Sequence, residues 1–258
     1  MDKKTREEAI EELSLALLYL TRFQDGDGSR FDEISWKNYD LDTIDRLDEA
    51  GYIINPQSRR GGSYKYAYMT EKGRDKAREI LNEFKLSDYQ IYEKFEFRTI
   101  RQEEADEAAG IEQICFPPNE ACSREHMKER IRVASDLFLV AIDRETGKMA
   151  GFLNGIATNE YNFRDEFFTD AGIHKPDGKN IMLLGLDVLP EYRKQGLGRE
   201  LVYNYCRREQ ECGRSRLILT CLQNKVKMYS KFGFRDLGES ASRWGGEKWH
   251  EMEIMLNY

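Results

Sequence analysis

Apolar positions in the first third of the chain recur at helical spacing. Ile10, Leu13, Leu17 and Leu20 predict a helix that lays one apolar stripe on a core, ended by the polar stretch DGDGS at 25–29. Leu41, Ile44 and Leu47 predict a second, short helix, capped by Asp40 or Asp42 and closed by Gly51. Tyr52-Ile53-Ile54, then NPQSRRGGS, then Tyr64 to Met69 predict a hairpin with a long tip. Thr70-Glu71 opens a third helix that turns Ala77, Ile80, Leu81 and Phe84 inward.

The pattern changes after KLSDYQIYE at 85–93, which reads as a join. Strands and helices then alternate. Phe95, Phe97 and Thr99 fit a strand, and 105–114 and 124–133 fit helices. Residues 137–142 and 151–157 form a strand pair around DRETGK. Ile181 to Val188 is a nearly continuous apolar run, as a strand buried on both faces requires. A helix over 198–212, a strand over 216–221, a helix over 223–232 and strands near 234–238 and 248–256 complete an α/β domain. The expected organisation is an accessory domain over 1–84, a linker over 85–93 and an α/β domain over 94–258. Helix, helix, hairpin with exposed tip, helix is the order of a winged-helix module.

Composition narrows the function. Of 258 residues, 40% are hydrophobic, 34% charged and 12% aromatic, which excludes wholesale disorder. No run of 18 apolar residues occurs, and MDKKTREEAIEEL is too charged for a secretory signal. Five cysteines form no C-x-x-C pair, and their odd number does not suit a disulfide framework. The expectation is a cytoplasmic protein with reduced thiols, bound to no membrane. A net charge of −7 opposes broad capture of nucleic acid and leaves room for a cationic amine. Arg59, Arg60 and Lys65 would suit a wing on a phosphate backbone. Yet residues 1–92 hold 15 Lys and Arg against 19 Asp and Glu, and the presumed recognition helix reads DLDTIDRLDEAG. Docking or self-association is the better expectation for this part.

The most informative segment is LLGLDVLPEYRKQGLGRELV, 183–202. A buried strand ends at Val188, and Arg193-Lys194-Gln195-Gly196-Leu197-Gly198 leads into a helix. Two glycines let the backbone approach a ligand, and the helix start offers N–H groups to an anion. Arg193, Lys194 and Arg199 add positive charge, so the turn reads as a pyrophosphate cradle. A dinucleotide-binding loop would need a third glycine where Leu201 stands, and a Walker loop would need Gly-Lys-Ser/Thr.

R-x-x-G-x-G after a strand with Leu-Asp-Val and a proline turn resembles the acetyl-CoA signature of the GNAT N-acetyltransferase superfamily. LILTCLQNKVKMYSKFGF resembles that family's closing strand–helix unit, with Tyr229 to Phe234 as its Tyr-x-x-x-Gly-Phe. IEQICFPPNEACSREHMKERI, GIHKPDG, LTC and SASRWGGEKWHEM look like the serotonin/arylalkylamine branch over roughly 94–258. LALLYLT, WKNYDLDTIDRLDEAGYI and YMTEKG look like a small bacterial winged-helix-like domain of unknown function.

The resemblance implies a GNAT fold, a mixed sheet flanked by helices, with acetyl-CoA as co-substrate and no metal. Main-chain groups of Leu186, Asp187 and Val188 would receive the pantetheine and thioester. Amides over Gln195, Gly196, Leu197, Gly198 and Arg199, with Arg193 and Lys194, would hold pyrophosphate. Tyr229 stands at the family's general-acid position. The two histidines of the arylalkylamine enzymes fall on Met182 and Leu184, neither able to take a proton. His174, Glu120 and Asp187 remain as bases, beside an ordered water, and His174 in its loop is favoured. Phe116, Pro117 and Glu120 are expected at the acceptor. Tyr161, Phe163, Phe167 and Phe168 either wall that pocket or fill the core, and Asp165, Glu166 and Asp170 could draw in a cation. An acyl-cysteine route through Cys221 is conceivable, although a buried cysteine is usually a small apolar filler. Three functions follow: acetylation of a small amine, acetylation of a protein or peptide docked by the first domain, or DNA-bound regulation by acyl-CoA.

Overall fold

The computed structural model describes residues 4–24, 33–36, 41–56, 66–84 and 91–256. The chain divides into two compact units, Met1–Gln90 and Ile91–Tyr258.

In the first unit, α1 (Arg6–Leu20) starts at a capping box in which Thr5 and Glu8 bond each other's main chain. Its core face is Leu15, Ala16, Leu18 and Tyr19. The stripe expected to be buried, Ile10, Leu13, Leu17 and Leu20, is the outward one, each residue 37–49% exposed. Apolar residues line both sides of this helix, so spacing alone does not choose a face. Strands β1 (Phe23–Gln24) and β2 (Glu33–Trp36), unforeseen in the sequence, precede α2 (Leu41–Glu49). The expected hairpin pairs β3 (Ile53–Ile54) with β4 (Tyr66–Met69), and β4 pairs β2 on its other edge. Helix α3 (Glu71–Glu83), capped by Thr70, buries Ala77, Ile80 and Leu81 against the α1 face. Phe84 is exposed, against expectation, because it falls on the C-cap. DGDGS, Asp40, Arg59, Arg60, Lys65 and most of the hairpin tip lie outside the described residues.

The second unit begins earlier than expected, with α4 (Ile91–Lys94), whose first three residues had been placed in the linker. There follow β5 (Phe95–Thr99), α5 (Ala105–Cys115), α6 (Arg124–Ala134), β6 (Phe138–Asp143), β7 (Met149–Thr158) and β8 (Asn180–Val188). Then come α7 (Leu197–Glu211), β9 (Arg216–Leu222), α8 (Gln223–Lys231), β10 (Arg235–Glu239) and β11 (Trp249–Met255). These lie within a few residues of the spans read from the sequence. The sheet order is β10-β11-β9-β8-β7-β6-β5, antiparallel except for β8 against β9. Every residue of β6 and β7 is buried, because helices cover both sheet faces. Ala108, Met127 and Ile131 of α5 and α6 pack on Phe138, Val140 and Phe152. Leu197, Leu201 and Tyr205 of α7 pack with Leu139 and Leu153 of the opposite face.

Candidate active site

Strand β8 carries an irregularity that opens the sheet. Its register against β7 jumps from Asn154↔Gly185 to Gly155↔Leu183, which leaves Leu184 as an extra residue. An extra residue bends its strand and raises the local twist. Beyond it, β8 parts from β9, since only Asn180, Met182 and the residue between them pair with that strand. The edge from Leu183 to Val188 therefore faces an open cleft. Leu189 donates its N–H to Ala150 of β7, so alternation turns the main-chain groups of Leu186 and Val188 toward the cleft. Strand-like donors left without a strand are where an extended amide-bearing chain adds.

The cleft runs into the glycine turn. Arg193 Nε donates to the Val188 carbonyl at 2.8 Å and folds the turn back on the strand end. Lys194 has φ +60 and Gly196 φ +87, two left-handed positions two residues apart. Such alternation gathers successive N–H groups into an anion-holding concavity. No side chain caps the start of α7, so its first amides remain available. Gly198 leaves open the space beside Val188 and Leu186, where an added Cβ would sit 3.8 and 4.0 Å from their methyls. Arg193, Lys194, Gln195 and Arg199 are exposed at this end.

Tyr229 on α8 packs edge-on against Phe232 and Phe234, with centroids 6.1 and 5.6 Å away. Burial raises its phenol above the ordinary range, and the Cys221 and Asp187 charges act in the same direction. Cys221 is buried against Met252, sulfur to sulfur 3.4 Å, with its thiol pushed up to about 12. Such a thiol is a proton-bearing filler, not a nucleophile at neutral pH.

The loop after α5 meets the β10–β11 connection at the side of this unit. Asn119 donates to the Gly245 carbonyl at 2.9 Å, and Trp244 Nε1 donates to the Glu120 carbonyl at 2.8 Å. Trp244 stacks on Phe168 at 4.9 Å. Burial, with Glu247 nearby, raises the Glu120 carboxyl. Phe116 is half-buried and Pro117 exposed. Of the expected aromatic wall, Phe163, Phe167 and Phe168 belong to the core and Tyr161 is exposed; Phe168 reaches this loop through its stack on Trp244. The acids meant to attract a cation are engaged locally. Asp165 accepts from Ser242 and from the Arg243 N–H, Glu166 pairs with Arg164, and Asp170 accepts from Gly172.

His174 is not brought to this group. Its Nδ1 accepts from the Ala157 N–H at 3.1 Å, and Ala157 pairs with Ile181 at the far end of β8. That end lies roughly 15 Å of strand from Leu186. Burial lowers its pKa. The expectation was that its loop folds over the pocket, but the loop returns to the start of the strand. Among the described residues no group of His, Cys, Asp and Glu has metal-binding geometry, and no helix is long and apolar enough to cross a membrane.

One group of side chains went largely unread in the sequence. Asp187, between the two cleft-facing residues, is fully buried, and beside it lie Glu112 of α5, Asn154 of β7 and Arg130 of α6. Desolvation raises the Asp187 carboxyl well above its usual range, and Glu112 adds to the rise. Burial raises Glu112 as well.

Comparison with known proteins gives two family matches. Residues 77–234 match the family described as the acetyltransferase (GNAT) family, and residues 6–87 match a domain of unknown function, DUF6429. Serotonin N-acetyltransferase of Mesocricetus auratus is 30% identical over 114 residues, 43% of this chain and 53% of that protein. The probable hydrolase YhcX of Bacillus subtilis is 26% identical over 156 residues, 57% of this chain and 29% of that protein. The chain thus spans about half, or less, of these curated relatives. Among solved structures, the loading GNATL domain of CurA from Lyngbya majuscula superposes with a TM-score of 0.56 at 14% identity, over 63% of this chain and 98% of that one. A GNAT-like decarboxylase, GphF, in complex with isobutyryl-CoA gives 0.53 at 16% identity, over 63% and 100%. At such identities the likeness is one of fold.

Proposed function

We propose, on the premise that this chain belongs to the GNAT acetyltransferase family, that it transfers an acetyl group from acetyl-CoA to a small primary amine, arylalkylamine-like or polyamine. The observation that supports this reading best is the edge of Leu186 and Val188, left without a partner strand and running into the uncapped start of α7. Pantetheine adds to that edge as a strand would, and the amides of 195–199 with Arg193 and Lys194 hold the pyrophosphate. The main chain at Val188 polarises the thioester oxygen. The amine enters past Phe116, Pro117 and Glu120 and attacks the carbonyl carbon, and the departing thiolate takes its proton from Tyr229. The likeness to serotonin N-acetyltransferase supports the arylalkylamine class.

The first unit is read as a winged-helix-like accessory domain in a cytoplasmic enzyme. Its outward stripe of Ile10, Leu13, Leu17 and Leu20 favours a second reading, in which it docks a protein or peptide acceptor. Free-thiol release from acetyl-CoA against aryl amines, polyamines and peptides separates the two. Release with small amines supports the first, release with peptides alone supports the second, and no release with any acceptor overturns both.

A further inference from the structure

Glu112, Asp187 and Asn154 converge on Gly185, one residue from the Leu186 edge. A Cβ added there would sit 2.9 Å from Asp187 Oδ2, 3.0 Å from Asn154 Nδ2 and 3.3 Å from Glu112 Oε2. Glycine at 185 is what lets these three groups meet. All three side chains are at most 3% exposed. Glu112 Oε1 accepts from the Cys122 N–H at 3.0 Å, but Glu112 Oε2 and both Asp187 oxygens have no protein donor. Burying one lone carboxylate is strongly unfavourable, and burying two side by side more so. A proton kept between the carboxyls would supply the missing donor, as in other pairs of buried acids that titrate as a unit.

The same residues answer a question the sequence left open, which group takes the amine proton. The groups acting on Asp187 are Glu112 and Cys115 on α5, Arg130 on α6, Cys122 before it and Tyr229 across the cleft, with Arg193 acting on Cys115. Burial pushes the Cys115 and Cys122 thiols up to about 11, and Tyr229 is raised too. At neutral pH these are proton donors, and a guanidinium carries no acceptor. Asn154 Oδ1 is also without a partner, but it is an amide oxygen of negligible basicity, so among the described residues around Asp187 the carboxyl pair is the group able to take a proton.

We propose that Asp187 and Glu112 form a one-proton relay that receives the proton released when the amine attacks the thioester. The relay rests on the acetyltransferase reading above. As the C–N bond forms and the C–S bond breaks, Asp187 Oδ1 takes the N–H proton and Asp187 passes its own from Oδ2 to Glu112 Oε2. The pair goes from one proton and one negative charge to two protons and none. Tyr229 supplies the thiolate's proton and regains one from solvent, the pair returns its second proton to solvent, and the net change is one proton from nitrogen to sulfur. Asp187 is the catalytic member and Glu112 the positioning one. Asn154 lies against the pair, and the Arg130 charge favours the ionised form of both carboxyls.

Two measurements test this on the full chain. Infrared difference spectra between the native protein and Asp187→Asn show a protonated-carboxyl C=O stretch at neutral pH that the variant lacks; absence of that band in the native protein overturns the shared proton whether or not any amine is acetylated. With acetyl-CoA and tryptamine, or spermidine, Asp187→Asn lowers kcat by about a hundredfold or more and removes the acidic limb of the kcat profile, while acetyl-CoA affinity by calorimetry is unchanged. Glu112→Gln moves that limb instead of removing it, a shift that loss of packing does not produce. If Asp187→Asn keeps the limb and Glu120→Gln removes it, the base is Glu120 and the relay is wrong. If native protein releases thiol with neither amine, the acetyltransferase reading fails at this step, and the infrared band still decides the pair.

Discussion

Tyr92 on α4 donates its hydroxyl to Glu200 on α7 and accepts there from Asn204 Nδ2. A four-residue helix at the start of the second unit is thereby tied to the helix that follows the glycine turn. Tyr92 is 4% exposed and packs on Phe97. A fragment starting near Tyr89 should fold and release CoA, because the proposed cofactor groups all lie beyond 180. A fragment starting at Phe95 loses the Tyr92 anchor, and deletion of a buried aromatic costs about 3–5 kcal/mol. Thermal unfolding of the two fragments checks this; equal melting points would show α4 to be dispensable.

Gly198→Val tests the cofactor turn without straining it. The position lies in α7 and its Cβ meets only ordinary contacts, unlike Gly196, whose φ of +87 penalises any side chain. The variant should keep its melting point and lose about tenfold or more in acetyl-CoA affinity by calorimetry. Native affinity would mean the turn is structural only.

Tyr229→Phe removes one hydroxyl and little volume. If that hydroxyl protonates the thiolate, kcat falls by about a hundred- to ten-thousand-fold with acetyl-CoA affinity nearly unchanged. The phenol works while protonated, so activity is lost as pH rises through its pKa. Burial raises that pKa, which moves the alkaline limb above the ordinary tyrosine value of about 10. A variant with near-native kcat and pH profile would leave Tyr229 as a packing residue.

Glu209 is buried on α7 at 3.5 Å from Arg214, and desolvation outweighs that partner, raising its carboxyl to about 7. The folded state therefore binds more protons than the unfolded state between the unfolded value of 4.5 and about 7. Stability declines as pH rises through that window, by on the order of 3 kcal/mol from this group, and is flat above it. Glu112 and Asp187 act with the same sign. Melting temperatures from about pH 5 to about pH 8 should fall for the native protein and fall less for Glu209→Gln. A native melting point that rises across this window contradicts the assignment.

The second unit was legible because its central strands β6, β7 and β8 are buried on both faces and α5, α6 and α7 on one, so periodicity reports them directly. The first unit was less so. Its α1 is apolar on both sides, and β1 and β2 are too short to alternate. Glu112 escaped notice because an acid on a helix reads as solvated, and nothing local reveals that its turn lies over Gly185. His174 was misplaced because the sequence does not say over which end of β8 its loop folds. Asp187 was visible as a possible base, but its partner was not.

The bulge at Leu184 behaves like a dislocation in a crystal: a fault in the count of residues, not in their chemistry. Substituting side chains along β8 can alter what lines the gap, but no substitution restores the missing row of bonds to β9. Removing the extra residue would shift the count by one and turn Asp187 to the other face. The width of the cleft and the orientation of its acid are thus one inherited quantity, which drift in the surrounding sequence cannot separate.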